Sequence, residues 1–192
     1  MLRVVADVLR DGGVIVYPTD TAYAFACHIG DKAALERIVA IRRLHKHHQF
    51  TLACRDLSEL GIYARVDNMG YRLIKRLTPG PYTFVMKATR EVPRRLLHLK
   101  RKTIGMRVPD NPVVQSLLTT LDEPILTTTV RLPDQETPMT DARDIFEAIG
   151  KRVDIVVDAG LGLDGRSTVI DLTGHTMEII REGMGMEELV GE

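Results

Sequence analysis

Two glycines and a proline bracket the segment that most limits how this chain can fold. Gly12-Gly13-Val14-Ile15-Val16-Tyr17-Pro18 confines a short β-branched run between a backbone break and a residue with no N–H for a ladder. The run reads as a buried strand over Val14–Val16. Thr19, Asp20 and Thr21 follow it directly. Hydroxyls and a carboxylate just past the carboxyl end of a buried strand stand where an α/β sheet usually holds its ligand. A local turn in which Thr19 and Asp20 cap backbone groups accounts for the same residues.

The rest of the chain alternates between helical and strand patterns. Leu2, Val5, Val8 and Leu9 are spaced as one face of a helix over Met1–Arg10. Asp31 caps a second helix, Lys32–Leu44. Further helices are expected over 56–60, 69–77, 93–98, from Asn111-Pro112 to Leu121, and over 141–149. Strands are expected over 50–54, 82–87, 103–108, 125–130, 154–158, 167–172 and 177–181. Thr78-Pro79-Gly80-Pro81 is a tight loop. With 192 residues and 44% hydrophobic content, this predicts a single α/β or α+β domain around one mixed sheet. No run is apolar enough to span a membrane, and no signal-peptide pattern opens the sequence. Cys27 and Cys54 sit in apolar runs and read as small buried hydrophobes of a reducing, cytoplasmic compartment.

Charge is balanced in total but segregated along the chain. Between Lys32 and Arg107 there are 18 Lys or Arg against 5 Asp or Glu, a net of +13, and the remainder carries −13. Such a segment suits a polyanion, either nucleotide phosphates or RNA. Pairing between the two segments is the competing account. Standard motifs are missing. Gly160-Leu161-Gly162-Leu163-Asp164-Gly165 has dinucleotide-like glycine spacing but no helix pattern behind it. There is no Walker A sequence and no nucleophile elbow. His45, His47 and His48 lack an acidic or thiol partner at ligand spacing and read as a solvated helix end, so no resident metal is expected. What remains is a set of strand-end polar residues: Thr19, Thr21, Arg42, Arg43, Thr78 to Thr83, Arg107, Thr127 to Thr129, Ser167, Thr168 and Asp171. Arg107, between Met106 and Val108, needs a partner if buried; an acid from the C-terminal half is one option.

The order and wording of these segments resemble the YrdC/YciO-like family, which includes the threonylcarbamoyl-adenylate synthases. The matching segments are Tyr17-Pro18-Thr19-Asp20-Thr21-Ala22-Tyr23, Thr78-Pro79-Gly80-Pro81-Tyr82-Thr83, Gly105-Met106-Arg107-Val108-Pro109, Ser167-Thr168-Val169-Ile170-Asp171 and Ile180-Arg181-Glu182-Gly183. Phe50-Thr51-Leu52, Glu91 to Leu97 and Lys100 to Arg107 look most like the YciO-like branch. The resemblance implies a single YrdC-like domain over 1–192, with its core over 12–183 and a short tail over 184–192. It implies a twisted mixed sheet with flanking helices and a basic concave cavity of the YrdC/RibB-like type. It implies a reaction in which L-threonine, bicarbonate and ATP give threonylcarbamoyl-AMP and pyrophosphate, for modification of tRNA, with Mg²⁺ carried by the nucleotide phosphates. Nucleotide or substrate contacts are then expected at Thr19, Thr21, Tyr23, Arg42, Arg107, Thr127, Thr129, Ser167 and Arg181. Double-stranded RNA or tRNA contacts are expected at Arg43, Lys46, Arg94, Arg95, Lys100, Arg101 and Lys102.

The sequence departs from the synthase pattern at two places. Synthases carry a lysine, one residue, then an arginine after the second helix, where this chain has Arg42-Arg43-Leu44. They carry a serine, one residue, then an asparagine where this chain has Thr129-Val130-Arg131. The resemblance also implies a small strand ahead of the first helix, which is either absent here or lies ahead of Met1. Two functions follow: a synthase-type nucleotidyltransferase, or a non-catalytic double-stranded RNA- or tRNA-binding protein using the same basic cavity.

Overall fold

The computed structural model describes residues 1–45 and 48–191. It contains helices α1 (Leu2–Arg10), α2 (Lys32–Arg42), α3 (Leu57–Tyr63), α4 (Asn68–Leu77), α5 (Pro112–Leu121), α6 (Ala142–Ile149) and α7 (Met186–Val190). The strands are β1 (Ile15–Tyr17), β2 (Ala24–His28), β3 (Thr51–Ala53), β4 (Ala64–Arg65), β5 (Tyr82–Ala88), β6 (Thr103–Arg107), β7 (Ile125–Thr129), β8 (Ile155–Val156), β9 (Thr168–Asp171) and β10 (Glu178–Arg181). They form one mixed sheet in the order β10-β9-β5-β6-β3-β7-β2-β1-β8, with β4 on β5. Among the described residues no helix is long and apolar enough to cross a membrane.

Side chains alternate across a strand, so each strand feeds both faces of the sheet. One face presents Val14, Val16, Phe25, Cys27, Leu52, Phe84, Met86, Ile104, Met106, Leu126 and Ile170, all buried. Ile38 and Ile41 of α2, Leu60 of α3, Ile74 and Leu77 of α4, Ile145 and Ile149 of α6 and Leu189 of α7 belong to the same core. The opposite face is covered over only part of its width. There Val5, Ala6 and Leu9 of α1 and Val114, Leu117, Leu118 and Leu121 of α5 pack on Ile15, Tyr17, Ala24, Ala26, Ala53 and Ile125. Beyond this second core the same face runs on as Thr51, Thr83, Val85, Thr103, Gly105, Thr127 and Val169, which line a cavity.

Local chemistry fixes the ends of these elements. Asp31 accepts from Ala34 N at 2.8 Å at the start of α2, and Asn111 accepts from Val113 N and Val114 N at the start of α5. Gly12 has φ +82°, and a Cβ on Gly13 would lie 2.4 Å from Val8 Cγ1, so the α1–β1 connection needs both glycines. Three elements are absent from the sequence reading: β2, β4 and α7. The expected tail is thus partly helical, held by Tyr82, whose hydroxyl donates to Gly185 O at 2.8 Å. Cys27 and Cys54 are buried free thiols, as expected. Burial pushes Cys27 up to about 12, and Cys54 is also raised well above the usual thiol value.

Candidate anion-binding site

The cavity over the uncovered half of the sheet has a volume of about 680 Å³. Its floor is the sheet itself, where Gly105 and the hydroxylic residues Thr51, Thr83, Thr103 and Thr127 are joined by Val85 and Val169. Gly105 is the flattest point: a Cβ would sit 3.2 Å from Thr51 Oγ1 and 3.3 Å from Thr83 Cγ2. Among the described residues the walls carry Arg42, Arg101, Arg107, Arg131, Arg166 and Arg181, together with His48 and His98, and no aspartate or glutamate. Arg42 and Arg107 are buried, while the other four arginines are exposed.

Five of the six arginines fall into two groups, and Arg101 pairs with Asp171 instead. In one, Arg42 at the end of α2 donates from Nε to Arg131 O at 3.1 Å and from Nη1 to Thr128 Oγ1. Burial, and then the Arg131 guanidinium, bring Arg42 down to about 10. Burial first, then Arg42 and Arg131, bring His48 down to about 4, so its imidazole is neutral near pH 7. In the second group Arg181 donates to Ser167 O at 2.9 Å and to Ser167 Oγ at 3.1 Å. Burial, Arg166 and Arg107 all lower its pKa. A bound anion would relieve the depression of Arg42 and Arg181.

Arg107 pairs with Asp20 through Nη2 and donates from Nη1 to Thr21 Oγ1 at 3.2 Å. The expected candidate, an acid from the C-terminal half, is therefore replaced by one from the β1–β2 connection. The reason lies in the fold: that connection passes over the end of β6, while Asp171 is taken by Arg101 at 3.0 Å. Nε of Arg107 is buried with no hydrogen-bond partner. An orphaned buried donor costs about 1–3 kcal/mol, which an oxygen of a bound phosphate or carboxylate would recover.

Of the residues expected to contact nucleotide or substrate, Thr19, Thr21, Arg42, Arg107, Thr127, Thr129, Ser167 and Arg181 all line this cavity. Four of their hydroxyls are already committed, Thr21 Oγ1 to Arg107 and Ser167 Oγ to Arg181 as above. Thr19 Oγ1 accepts from Ala22 N at 3.2 Å and knits the connection, as the local-turn account has it. Thr127 Oγ1 accepts from the Tyr17 hydroxyl at 2.9 Å and donates to Phe25 O at 3.0 Å. Tyr23 lies elsewhere. Its ring is buried, and its hydroxyl donates to Gly160 O at 2.8 Å and accepts from Ala159 N at 3.1 Å. It borders a second cavity of about 430 Å³, beside Asp20 and Asp110.

Among the expected RNA contacts, Arg43, Arg94, Lys100, Arg101 and Lys102 are exposed. Arg95 is committed to the α2 approach, donating to Gly30 O at 2.7 Å and Ile29 O at 3.1 Å. Lys46 lies outside the described residues, as does His47. His48, read as part of a solvated helix end, instead faces the cavity. Arg131 and Arg166 are cavity residues that strand-end reasoning missed. Among the described residues no group of three His, Cys, Asp or Glu is placed to hold a metal ion. Among the described residues the lining offers a resident magnesium ion no carboxylate.

Comparison with known proteins agrees with this architecture. A family model named Sua5_yciO_yrdC, described as "Telomere recombination", matches residues 7–183. YciO of Escherichia coli (strain K12) is 52% identical over 185 residues, covering 96% of this chain and 90% of that protein. The crystal structure of E. coli YciO superposes with a TM-score of 0.91, covering 96% of this chain and 89% of that one. The threonylcarbamoyl-AMP synthase of Vibrio vulnificus (strain YJ016) is 26% identical over 185 residues, covering 95% and 98% of the two chains. Sua5 of P. abyssi, crystallised with L-threonine, shares the fold at a TM-score of 0.89 and 24% identity. That alignment covers 100% of this chain and 57% of the Sua5 chain.

Proposed function

Because this chain belongs to the Sua5/YciO/YrdC family and walls its cavity with six arginines and no carboxylate, we propose that it is a synthase-type nucleotidyltransferase. In this reading it binds ATP in the cavity and joins L-threonine and bicarbonate to the adenylate, releasing pyrophosphate. The acid-free arginine lining carries the proposal. A carbamate attacking the α-phosphorus brings two anions together, and fixed guanidinium groups offset that repulsion without reorganising. The hydroxyl and glycine floor lets a large polar ligand lie close to the sheet. Magnesium enters with the nucleotide, bound through its phosphates.

The test is pyrophosphate release from ATP in the presence and absence of threonine and of bicarbonate. Release that requires both supports the reading. Tight ATP binding with no release under any combination refutes it. Arg107→Ala should cost about 1.5–3 kcal/mol of nucleotide affinity, the scale of a charged hydrogen bond.

A second reading rests on exposed Arg94, Lys100, Arg101 and Lys102. We propose that these residues attract the phosphate backbone of double-stranded RNA or tRNA. Replacing Lys100, Arg101 and Lys102 together by alanine should then lower the salt-dependence slope of RNA binding by about two to three units. An unchanged slope refutes this reading.

A further inference from the structure

One cluster in the cavity has no role in the account above. His48 stands edge-on to Phe50, with ring centroids 5.1 Å apart and planes at 88°, which fixes the plane of the imidazole. Its Nε2 lies 3.1 Å from the hydroxyl oxygen of Thr128. That oxygen also accepts a hydrogen bond from Nη1 of Arg42. A guanidinium can only donate, so Arg42 occupies one lone pair of Thr128 and leaves its hydroxyl proton and second lone pair for Nε2. In the Nδ1–H tautomer the hydroxyl proton points at Nε2, which accepts it. The charged groups acting on His48 are Arg42 from α2 and Arg131 from the segment after β7; no carboxylate among the described residues does so.

We infer that His48 is the general base of this cavity, drawing a proton through the Thr128 hydroxyl from the amine that the site converts to a carbamate. The inference rests on the synthase-type reading above. An amino acid arrives as an ammonium ion with no lone pair to attack with. When it condenses with bicarbonate, a nitrogen–carbon bond forms and a carbon–hydroxyl bond breaks. Hydroxide leaves as water with one ammonium proton. A second proton must also leave: it passes to Thr128 Oγ1 as the threonine's own proton moves to His48 Nε2. The balance is ammonium, bicarbonate and neutral imidazole giving carbamate, water and imidazolium.

The rest of the lining offers little alternative. The six arginines cannot accept a proton in water. The other imidazole, His98, has Nδ1 taken up by the backbone N–H groups of Lys100 and Arg101 at 3.3 and 3.2 Å. An imidazolium between Arg42 and Arg131 is disfavoured until anions occupy the cavity. The base therefore becomes effective only after nucleotide and bicarbonate are in place. Arg42 and Arg131 are also among the positions where this chain departs from the synthase pattern, so the cluster belongs to the end of the cavity that is its own.

Two measurements test this. The first is NMR of the histidine side chains, with His48→Gln for assignment. His48 should show the Nδ1–H tautomer and titrate near about 4 in the free protein. Saturating inorganic pyrophosphate should raise that value by about one unit or more. An Nε2–H tautomer, or a titration unmoved by pyrophosphate, overturns the assignment whatever the enzyme's activity. The second is threonine- and bicarbonate-dependent pyrophosphate release across pH. His48→Gln and Thr128→Val should lower it by about 10²–10⁴-fold and remove the acidic limb of the profile, with ATP affinity retained. Thr128→Ser should restore most of the rate. If the wild type releases pyrophosphate and His48→Gln matches its rate and profile, the base assignment falls while the synthase reading stands. If the wild type binds ATP but releases nothing, the synthase reading falls and takes this inference with it.

Discussion

Replacing Asp20 by asparagine should weaken the fold and tighten the cavity's hold on anions at the same time. Asp20 accepts from Arg107 Nη2 with one oxygen and from Asp110 N at 2.9 Å with the other. The two side chains of the ion pair are 10% and 8% exposed. An amide can accept from Arg107 or from Asp110 N but presents a donor to the other, so one contact is lost along with the charge. Removing one member of a buried pair costs about 3–5 kcal/mol. Arg107 keeps Thr21 and borders the cavity, which places the cost near the lower end, roughly 3 kcal/mol. For a chain of this size that lowers Tm by about 6–12 °C. The same change removes the carboxylate that neutralises Arg107, so pyrophosphate should bind roughly tenfold more tightly, or about 1.4 kcal/mol. Differential scanning calorimetry with and without pyrophosphate reads both effects. At a ligand concentration about 100 times Kd, the variant regains about 2.7 kcal/mol. An unchanged Tm, or pyrophosphate binding no tighter than in the wild type, would refute the reasoning. Asp20 would then serve to aim Arg107 rather than to neutralise it.

Gly105→Val should fill the cavity floor, since even a Cβ there is 3.2 Å from Thr51 Oγ1; calorimetric titration with ATP should show at least about a tenfold loss for a variant that still folds. Asp154 accepts from Val14 N at 2.7 Å and from Arg37 Nη1 at 2.8 Å. Burial alone would raise its pKa, but these two partners win and lower it. Its contribution to stability is therefore present above the unfolded carboxylate pKa and is lost as pH falls through the lower folded value. The urea midpoints of wild type and Asp154→Asn should differ at pH 6 and converge as pH falls through the lowered folded value; a constant gap would show that the effect is not ionic. Tyr17, pushed up to about 12 by burial, spends its hydroxyl on Thr127. Tyr17→Phe should cost about 1 kcal/mol in urea unfolding, and no change in midpoint would show that Thr127 finds another donor.

β1 is readable from the sequence as a continuous β-branched run, and β5 and β6 because their residues alternate. Thr103-Ile104-Gly105-Met106-Arg107 puts large apolar residues on one face and small or polar ones on the other, which is the division between core and cavity floor. β2 escaped because Ala24 and Ala26, facing α1 and α5, replace the β-branched residues that mark a strand. β4 is two residues long and α7 five, too short for either period to show. The site was legible where its residues sit at strand ends, as with Arg107 and Ser167. Arg131 and Arg166 lie in connecting segments: Arg131 is marked only by the departure from the synthase pattern at Thr129-Val130-Arg131, and nothing beside Arg166 distinguishes it from solvated charge. His48 was misread because its surroundings come from β7, some 80 residues away, and histidines beside a helix end carry no sign of a buried partner. Tyr23 was placed with its neighbours Thr19 and Thr21, whereas alternation past the connection turns it away from the cavity.

The half-covered face of the sheet also has a consequence for hydration. A space of about 680 Å³ corresponds to roughly 20 waters at about 30 Å³ each. Hydroxyls, backbone and guanidinium groups share that surface with apolar atoms of Phe50, Val85, Pro138, Val169 and Ile180, so part of the water is hydrogen-bonded and part lies against hydrocarbon. Ligand entry then exchanges bound water for ligand oxygens and also removes apolar area from solvent. The calorimetric mark is a negative change in heat capacity on binding, smaller than that of a wholly apolar pocket of the same size.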